Sequence, residues 1–162
     1  MKVRDLMTTD VATATTSAPL SAAVRLMWDC DCGAVPVIEE GSDRVVGMIT
    51  DRDICIATWS KDRAPSAIPI SEAMSPNLFH CAPDDNVALA EHLMRLKQIR
   101  RIPVLNEERK LLGIISLADI VAQSQTEAAR WNELELAPNE IASTLANICQ
   151  PRAVPIEREA LS

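Results

Sequence analysis

Aromatic side chains are almost missing from this 162-residue chain, which has no tyrosine, one phenylalanine and three tryptophans. Any core has to be filled by Val, Ile, Leu, Met and Ala, and a chain that is 48% hydrophobic has enough of them for one ordinary domain or two very small ones. Histidine occurs only as His80 and His92. There is no GxSxG, no GxxxxGK[ST], no GxGxxG and no Ser-His-Asp arrangement, so no catalytic residue is assigned and an enzyme is not expected. Positive charge is also short, with 16 Lys and Arg against 23 Asp and Glu and a net charge of −7. That balance argues against nucleic acid as a partner. No stretch reaches the roughly 18 apolar residues of a membrane span, and "MKVRDLMTTD" has no apolar signal region, so a cytoplasmic protein without a membrane partner is expected. Five cysteines (Cys30, Cys32, Cys55, Cys81 and Cys149) make an odd number, and "DCDC" is CxC rather than CxxC. Reduced thiols and no metal site are the expectation; a thiol- or metal-responsive role for Cys30, Cys32 and Cys81 is an alternative.

What is present is a repeat. "GMITDRDI" at Gly47–Ile54 returns as "GIISLADI" at Gly113–Ile120. At an offset of 67, Met7 matches Met74, Ala23 Ala90, Leu26 Leu93, Met27 Met94, Pro36 Pro103 and Val37 Val104; from Val45 onward the offset is 66. The one-residue slip falls between "EEGSDR" and "NEERK", both polar, where a hairpin turn tolerates a deletion.

Each copy reads as β-α-β-β-α. A leader ending in Met ("VRDLM", "ISEAM") precedes a brief strand near Val11–Ala14 or Leu78–Cys81. A helix follows, with Leu20, Ala23, Val24 and Met27, or Val87, Ala90, Leu93 and Met94, at helical spacing. Then come "AVPVI" or "RIPVL", a charged turn, "RVVGMIT" or "KLLGIIS", and a helix opening at Asp51 or Leu117. The fold class expected is α/β (α+β), two pseudo-symmetric repeats packed through their sheets with a C-terminal helical segment. The boundaries expected are residues 1–60 for the first repeat, 61–69 for a linker, 70–123 for the second repeat, 124–149 for the helical extension and 150–162 for a loose tail. In the extension, a helix after Ala137 would begin on Pro138 and carry a stripe of Ile141, Leu145 and Ile148.

Thr50 and Asp53, like Ser116 and Asp119, stand three apart at a strand-to-helix junction. That is the spacing of a capping box. The same geometry suits a nucleotide, because helix-start amides favour a phosphate and a carboxylate one turn inside can accept from ribose hydroxyls. Duplication copies a cap as faithfully as a binding residue, so the spacing leaves both readings open.

The Met-ended leader, "GAVPV" or "RRIPV", and Gly followed by two apolar residues, Thr or Ser, two spacers, Asp and Ile resemble a tandem pair of CBS domains, a Bateman module, over Val3 to about Ala122. The resemblance implies clefts between the repeats that take an adenosine nucleotide such as AMP or ATP as a regulatory ligand. It implies that Asp53 and Asp119 hold ribose and that Thr50 and Ser116 lie beside ribose or phosphate. The segments Ala34, Val35 and Pro36, and Arg101, Ile102 and Pro103, would border the adenine. It further implies a homodimer and, for a module standing alone, an unknown protein effector. Leu117 and Ala118 depart from the polar Asp51 and Arg52 of the first copy.

The two clefts are not expected to be equal. "RLKQIRR" brings Arg95, Lys97, Arg100 and Arg101 to the second copy, whereas "WDCDCGA" brings two aspartates and no base to the first. Phosphate is therefore expected to bind better near Arg100 and Arg101, with Arg52 of the first motif as a further contact. A non-catalytic nucleotide sensor is the leading expectation; the alternative is a ligand-free dimerisation module in which the paired hydroxyls and acids are caps only.

Overall fold

The computed structural model describes residues 1–128 and 138–149, the backbone alone for 124–128, 138–141 and 149. The first repeat comprises β1 (Ala14–Thr15), α1 (Leu20–Asp29), β2 (Ala34–Ile38), β3 (Val45–Thr50) and α2 (Asp51–Lys61). The second comprises α3 (Val87–Lys97), β4 (Arg101–Leu105), β5 (Leu111–Ser116) and α4 (Leu117–Ala128), and is followed by α5 (Pro138–Cys149). The class is α+β, with two small sheets each flanked by helices. β1 runs parallel to β2 and β2 antiparallel to β3, as β4 does to β5. Both hairpins carry the same irregularity one step before the turn, between Val37 and Ile38 and between Val104 and Leu105.

The single-residue slip is in the turns. In the longer one, Gly41 takes the positive φ of +73°. In the shorter one that conformation falls on Arg109 (φ 64°), where Asn106 Oδ1 accepts from Lys110 N at 2.8 Å and closes the turn.

The expected strand at Leu78–Cys81 is not formed. It shrinks to one parallel bridge, Cys81 to Val104. In the first repeat the ladder continues through Thr16 N donating to Ile38 O at 3.2 Å; the matching residue is Pro83, which has no N–H to give.

Each leader docks on the other repeat. Val3, in a short 3-10 turn at Val3–Asp5, is fully buried in the second repeat's core with Cys81, Val87, Ala90 and Met94. Ile70, in the matching turn Ile70–Glu72, is buried in the first repeat's core with Leu20, Val35 and Ile49. The hydrogen bonds obey the same symmetry. Val3 N donates to Asp85 O (2.9 Å) as Ile70 N donates to Ala18 O (2.8 Å), and Arg4 N to Pro83 O (3.0 Å) as Ser71 N to Thr16 O (3.0 Å). Thr8 then bridges Ile114 on the edge of β5, and Ser75 bridges Met48 on the edge of β3. Burying Val3 and Ile70 contributes about 1.5–3 kcal/mol each. Ion pairs hold both leaders at the surface: Lys2 and Arg4 with Asp84, and Lys61 with Glu72 at 3.0 Å.

This exchange explains the repeated glycine. A Cβ on Gly47 would lie 2.6 Å from Ser75 O, and one on Gly113 2.6 Å from Thr8 O. Neither position has room for a side chain while the foreign leader is in place. The repeats also meet at the hairpin ends, where Val45 N donates to Arg109 O at 3.0 Å.

Along β3, Val45, Gly47 and Ile49 are buried while Val46, Met48 and Thr50 are only half-buried. Leu20, Ala23 and Met27 form the core face of α1, but Val24, expected in that stripe, is 43% exposed. Its counterpart in α3 is Glu91, only 7% exposed, because α5 lies against α3. Thr144 of α5 donates to Glu91 Oε1 at 2.5 Å, and Ile148 packs on the second core. α5 begins on Pro138 as expected, with Ile148 on the module side. The side chain of Ile141 and the tail at 150–162 lie outside the described residues.

Candidate functional site

Both hydroxyl-acid pairs form capping boxes. Thr50 Oγ1 accepts from Asp53 N at 3.2 Å, while Asp53 Oδ2 accepts from Thr50 N at 2.9 Å and from the Thr50 hydroxyl at 2.6 Å. In the second copy Ser116 Oγ accepts from Asp119 N at 3.3 Å, and Asp119 Oδ2 accepts from Ser116 N at 2.8 Å and from its hydroxyl at 2.7 Å. One carboxylate oxygen of each acid does all this. Among the described residues, Oδ1 of Asp53 and Oδ1 of Asp119 accept no hydrogen bond, and both aspartates are half-buried. Capping therefore leaves each carboxylate one acceptor to spare.

A cleft of about 820 Å³ opens between the repeats. The first repeat contributes Met27, Asp31, Cys32, Gly33 and Asp51. The second contributes Arg100, Arg101, Ser116, Leu117, Ala118, Val121 and Ala122, and α5 contributes Leu145. The hairpin register explains the grouping, because Arg101 pairs with Ser116 across β4 and β5, and Leu117 N donates to Arg100 O at 2.9 Å. The first repeat repeats the arrangement: Ala34 pairs with Thr50, and Asp51 N donates to Gly33 O at 3.3 Å. Glycine and alanine thus stand where the second repeat has arginines.

Among the described residues, neither Arg100 nor Arg101 makes a side-chain hydrogen bond or an ion pair. Arg101 nevertheless reaches toward the first repeat. Its Nη1 is 3.8 Å from where a Cβ on Gly33 would sit, and Asp51 Oδ2 is 3.2 Å from the same point. Two free guanidiniums thus face a cleft whose far wall holds Asp31 and Asp51, a layout suited to a ligand with an anionic and a hydrogen-bonding end.

Of the residues singled out by sequence, the cleft gathers Arg100, Arg101 and Ser116, with Asp119 bonded directly behind Ser116. It does not gather the others. Thr50, Arg52 and Asp53 are absent from its lining; Ala34, Val35, Pro36, Ile102 and Pro103 are buried in strands, with Val35 and Ile102 inside the two cores. Leu117 and Ala118 do line it. Leu145, Met27 and Gly33 were not marked by sequence as site residues, since each reads as an ordinary core, helix or turn residue. A smaller cavity of about 360 Å³ lies at the hairpin ends, lined by Thr9, Val11, Thr13, Ile38, Asp43, Asn106, Lys110, Leu111 and Leu112.

Cys30 and Cys55 are exposed free thiols, Cys32 is half-buried, and Cys81 is a buried free thiol whose pKa is pushed up to about 11, first by burial and then by the nearby Asp85 carboxylate. Among the described residues, no three His, Cys, Asp or Glu side chains come together as a metal site, and no helix is long and apolar enough to cross a membrane.

The family model of the CBS domain matches residues 3–59 and 70–125. The chain belongs to the CBS domain family. The CBS domain-containing protein YhcV of Bacillus subtilis is 39% identical over 128 residues, 78% of this chain and 89% of that protein. Among solved structures, that of Hypoxic Response Protein I with two coordinated zinc ions has a TM-score of 0.68 at 31% identity, covering 75% of this chain and 98% of the other. The CBS domain pair of protein MJ0100, in complex with 5′-methylthioadenosine and S-adenosyl-L-methionine, has a TM-score of 0.70 at 22% identity, covering 78% of this chain and 98% of the other. This CBS pair therefore has the architecture of regulatory modules, some of whose structural neighbours hold nucleotide-like ligands and one of which holds zinc.

Proposed function

We propose that this CBS pair is a non-catalytic sensor of an adenosine nucleotide, AMP or ATP, which binds in the cleft between the repeats. The observation that carries the reading is the pair of unpartnered guanidiniums, Arg100 and Arg101, facing a cleft of about 820 Å³ in a chain of net charge −7. Phosphate meets these arginines. Ribose hydroxyls are taken by Ser116 and the spare oxygen of Asp119. The adenine lies against Leu117, Val121 and Ala122, a surface without aromatics. Thr50, Arg52 and Asp53, with the strand start at Ala34–Pro36, form the corresponding seat of the first copy, weaker because Gly33 and Ala34 stand in place of the arginines, while the strand start at Arg101–Pro103 belongs to the seat of the second copy. The distant MJ0100 pair shows the same fold with adenosine-containing ligands, which supports the ligand class.

Thermal shift and titration calorimetry with ATP, AMP and adenosine test this. A ligand that binds only the folded state raises the melting temperature. ATP is expected to do so, and R100A/R101A to weaken it on the order of 10–100-fold, as loss of charge-assisted hydrogen bonds predicts. An unchanged melting temperature across the panel sinks the proposal. It would favour the ligand-free interaction module, which the self-satisfied capping boxes support.

The signal is passed on through packing, in a homodimer and toward a protein effector. Trp28 and Trp59 are 85% and 83% exposed on the helix pair α1 and α2, beside Val24 and Ile56. On the second repeat α5 lies against the matching helix, α3. The first repeat's bare face is the contact surface proposed for a second copy. W28S/W59S is expected to turn a dimer into a monomer by light scattering; a monomeric wild type would refute the assembly. We assign the work to the reducing cytoplasm, a reading that the free thiols among the described residues support.

A further inference from the structure

We infer that α5, which belongs to neither repeat, is a wall of the ligand cleft, and that its docking and ligand binding are coupled. This rests on the nucleotide reading above. Leu145 lines the cleft while remaining 40% exposed, so the helix presents an apolar side chain to the open space rather than burying it. Its neighbour Thr144, about 100° round the helix, faces α3 instead, is fully buried and donates to Glu91 Oε1 at 2.5 Å. A second tie lies closer to the guanidiniums. Gln98 Nε2 donates to Asn147 O at 3.3 Å, and Gln98 is the left-handed C-cap residue of α3 (φ 52°), two positions before Arg100. Ile148 completes the hold on the second core. One helix thus grips the segment that carries the arginines and adds an apolar side chain to the cleft that they line.

Glu91 sharpens the argument. Docked α5 buries Glu91, at the position where the first repeat has exposed Val24, and supplies Thr144 as the donor that keeps the buried carboxylate paired. The extension is thus held by directional polar ties as well as by apolar packing. Linkage is reciprocal: whatever factor docked α5 adds to ligand affinity, the ligand adds to the docking of α5.

The test is hydrogen exchange of 138–149 in the full chain, with and without saturating ATP, alongside calorimetry of two variants. Saturation is expected to slow exchange of these amides several-fold. L145A, which leaves the ties through Thr144, Gln98 and Ile148, is expected to weaken ATP about 3–10-fold while α5 exchange in the free protein changes less than about twofold. T144V is expected to speed α5 exchange in the free protein and to weaken ATP by a similar factor, with circular dichroism reporting that the repeats stay folded. ATP binding with unchanged α5 exchange and L145A affinity within twofold of wild type would overturn the inference and leave the nucleotide reading standing. Failure of ATP to bind wild type would overturn both. R100A/R101A separates the two in the other direction, weakening ATP while free-state α5 exchange stays as in wild type.

Discussion

Gly47 and Gly113 are matched in the sequence, yet the reason for them is invisible there, since the atom each avoids is the carbonyl oxygen of a leader from the other repeat. G47A and G113A each force a Cβ to within 2.6 Å of that oxygen. Overpacking of this kind costs about 1–3 kcal/mol, so both variants are expected to lower the urea midpoint, and equal stability with wild type would deny the close approach. Cys81 makes a second prediction at this scale. Its folded pKa of about 11 lies above the unfolded value of about 8.5, so the stabilisation from the protonated thiol is complete below pH 8.5 and is lost as pH climbs through 11. Iodoacetamide at pH 8 is expected to label Cys30 and Cys55 and to spare Cys81 until urea unfolds the chain, as peptide mass spectrometry would show. The hydroxyl-acid pairs were legible as residues but ambiguous in role. The structure shows why: Oδ2 caps, while Oδ1 accepts no hydrogen bond among the described residues, so the spacing fits a cap and still leaves room for the ligand role proposed above.

Among the elements, β3 and β5 follow from alternation, β2 and β4 from short apolar runs buried at consecutive positions, and the helix starts at Asp51 and Leu117 from capping chemistry. The strand at Leu78–Cys81 does not, because a ladder depends on a donor and Pro83 withholds it. The α1 stripe misled at Val24 because helical spacing says which residues share a face, not what covers that face. A test of the caps belongs here. T50A and S116A remove equivalent N-caps from α2 and α4, and each is expected to cost about 0.5–2 kcal/mol in urea unfolding. S116A is expected to weaken ATP in the arginine-lined cleft as well, since Ser116 lines that cleft and Thr50, assigned to the weaker first-copy seat, does not. Equal effects of both variants on affinity would place the ligand elsewhere.

For the molecule as a whole, the repeat was readable and the exchange was not: the 67- and 66-residue offsets pair positions with positions, but say nothing of which copy a leader completes. Deleting residues 1–8 removes Val3 and the Thr8 bridge, so the damage is expected in the second repeat. Hydrogen exchange should rise in β4 and β5 more than in β2 and β3, and the reverse pattern would contradict the docking. The halves are likewise expected to unfold together in one transition rather than two.

A protein with one copy of this unit would carry a leader with no sheet to receive it except that of a sister molecule. Its minimal folded form would be an intertwined pair, assembling only as concentration allowed. Joining two copies through a short tether turns that encounter into an internal one, at an effective concentration of order millimolar. The second copy is then less a spare than the first copy's missing partner, captured once and carried along.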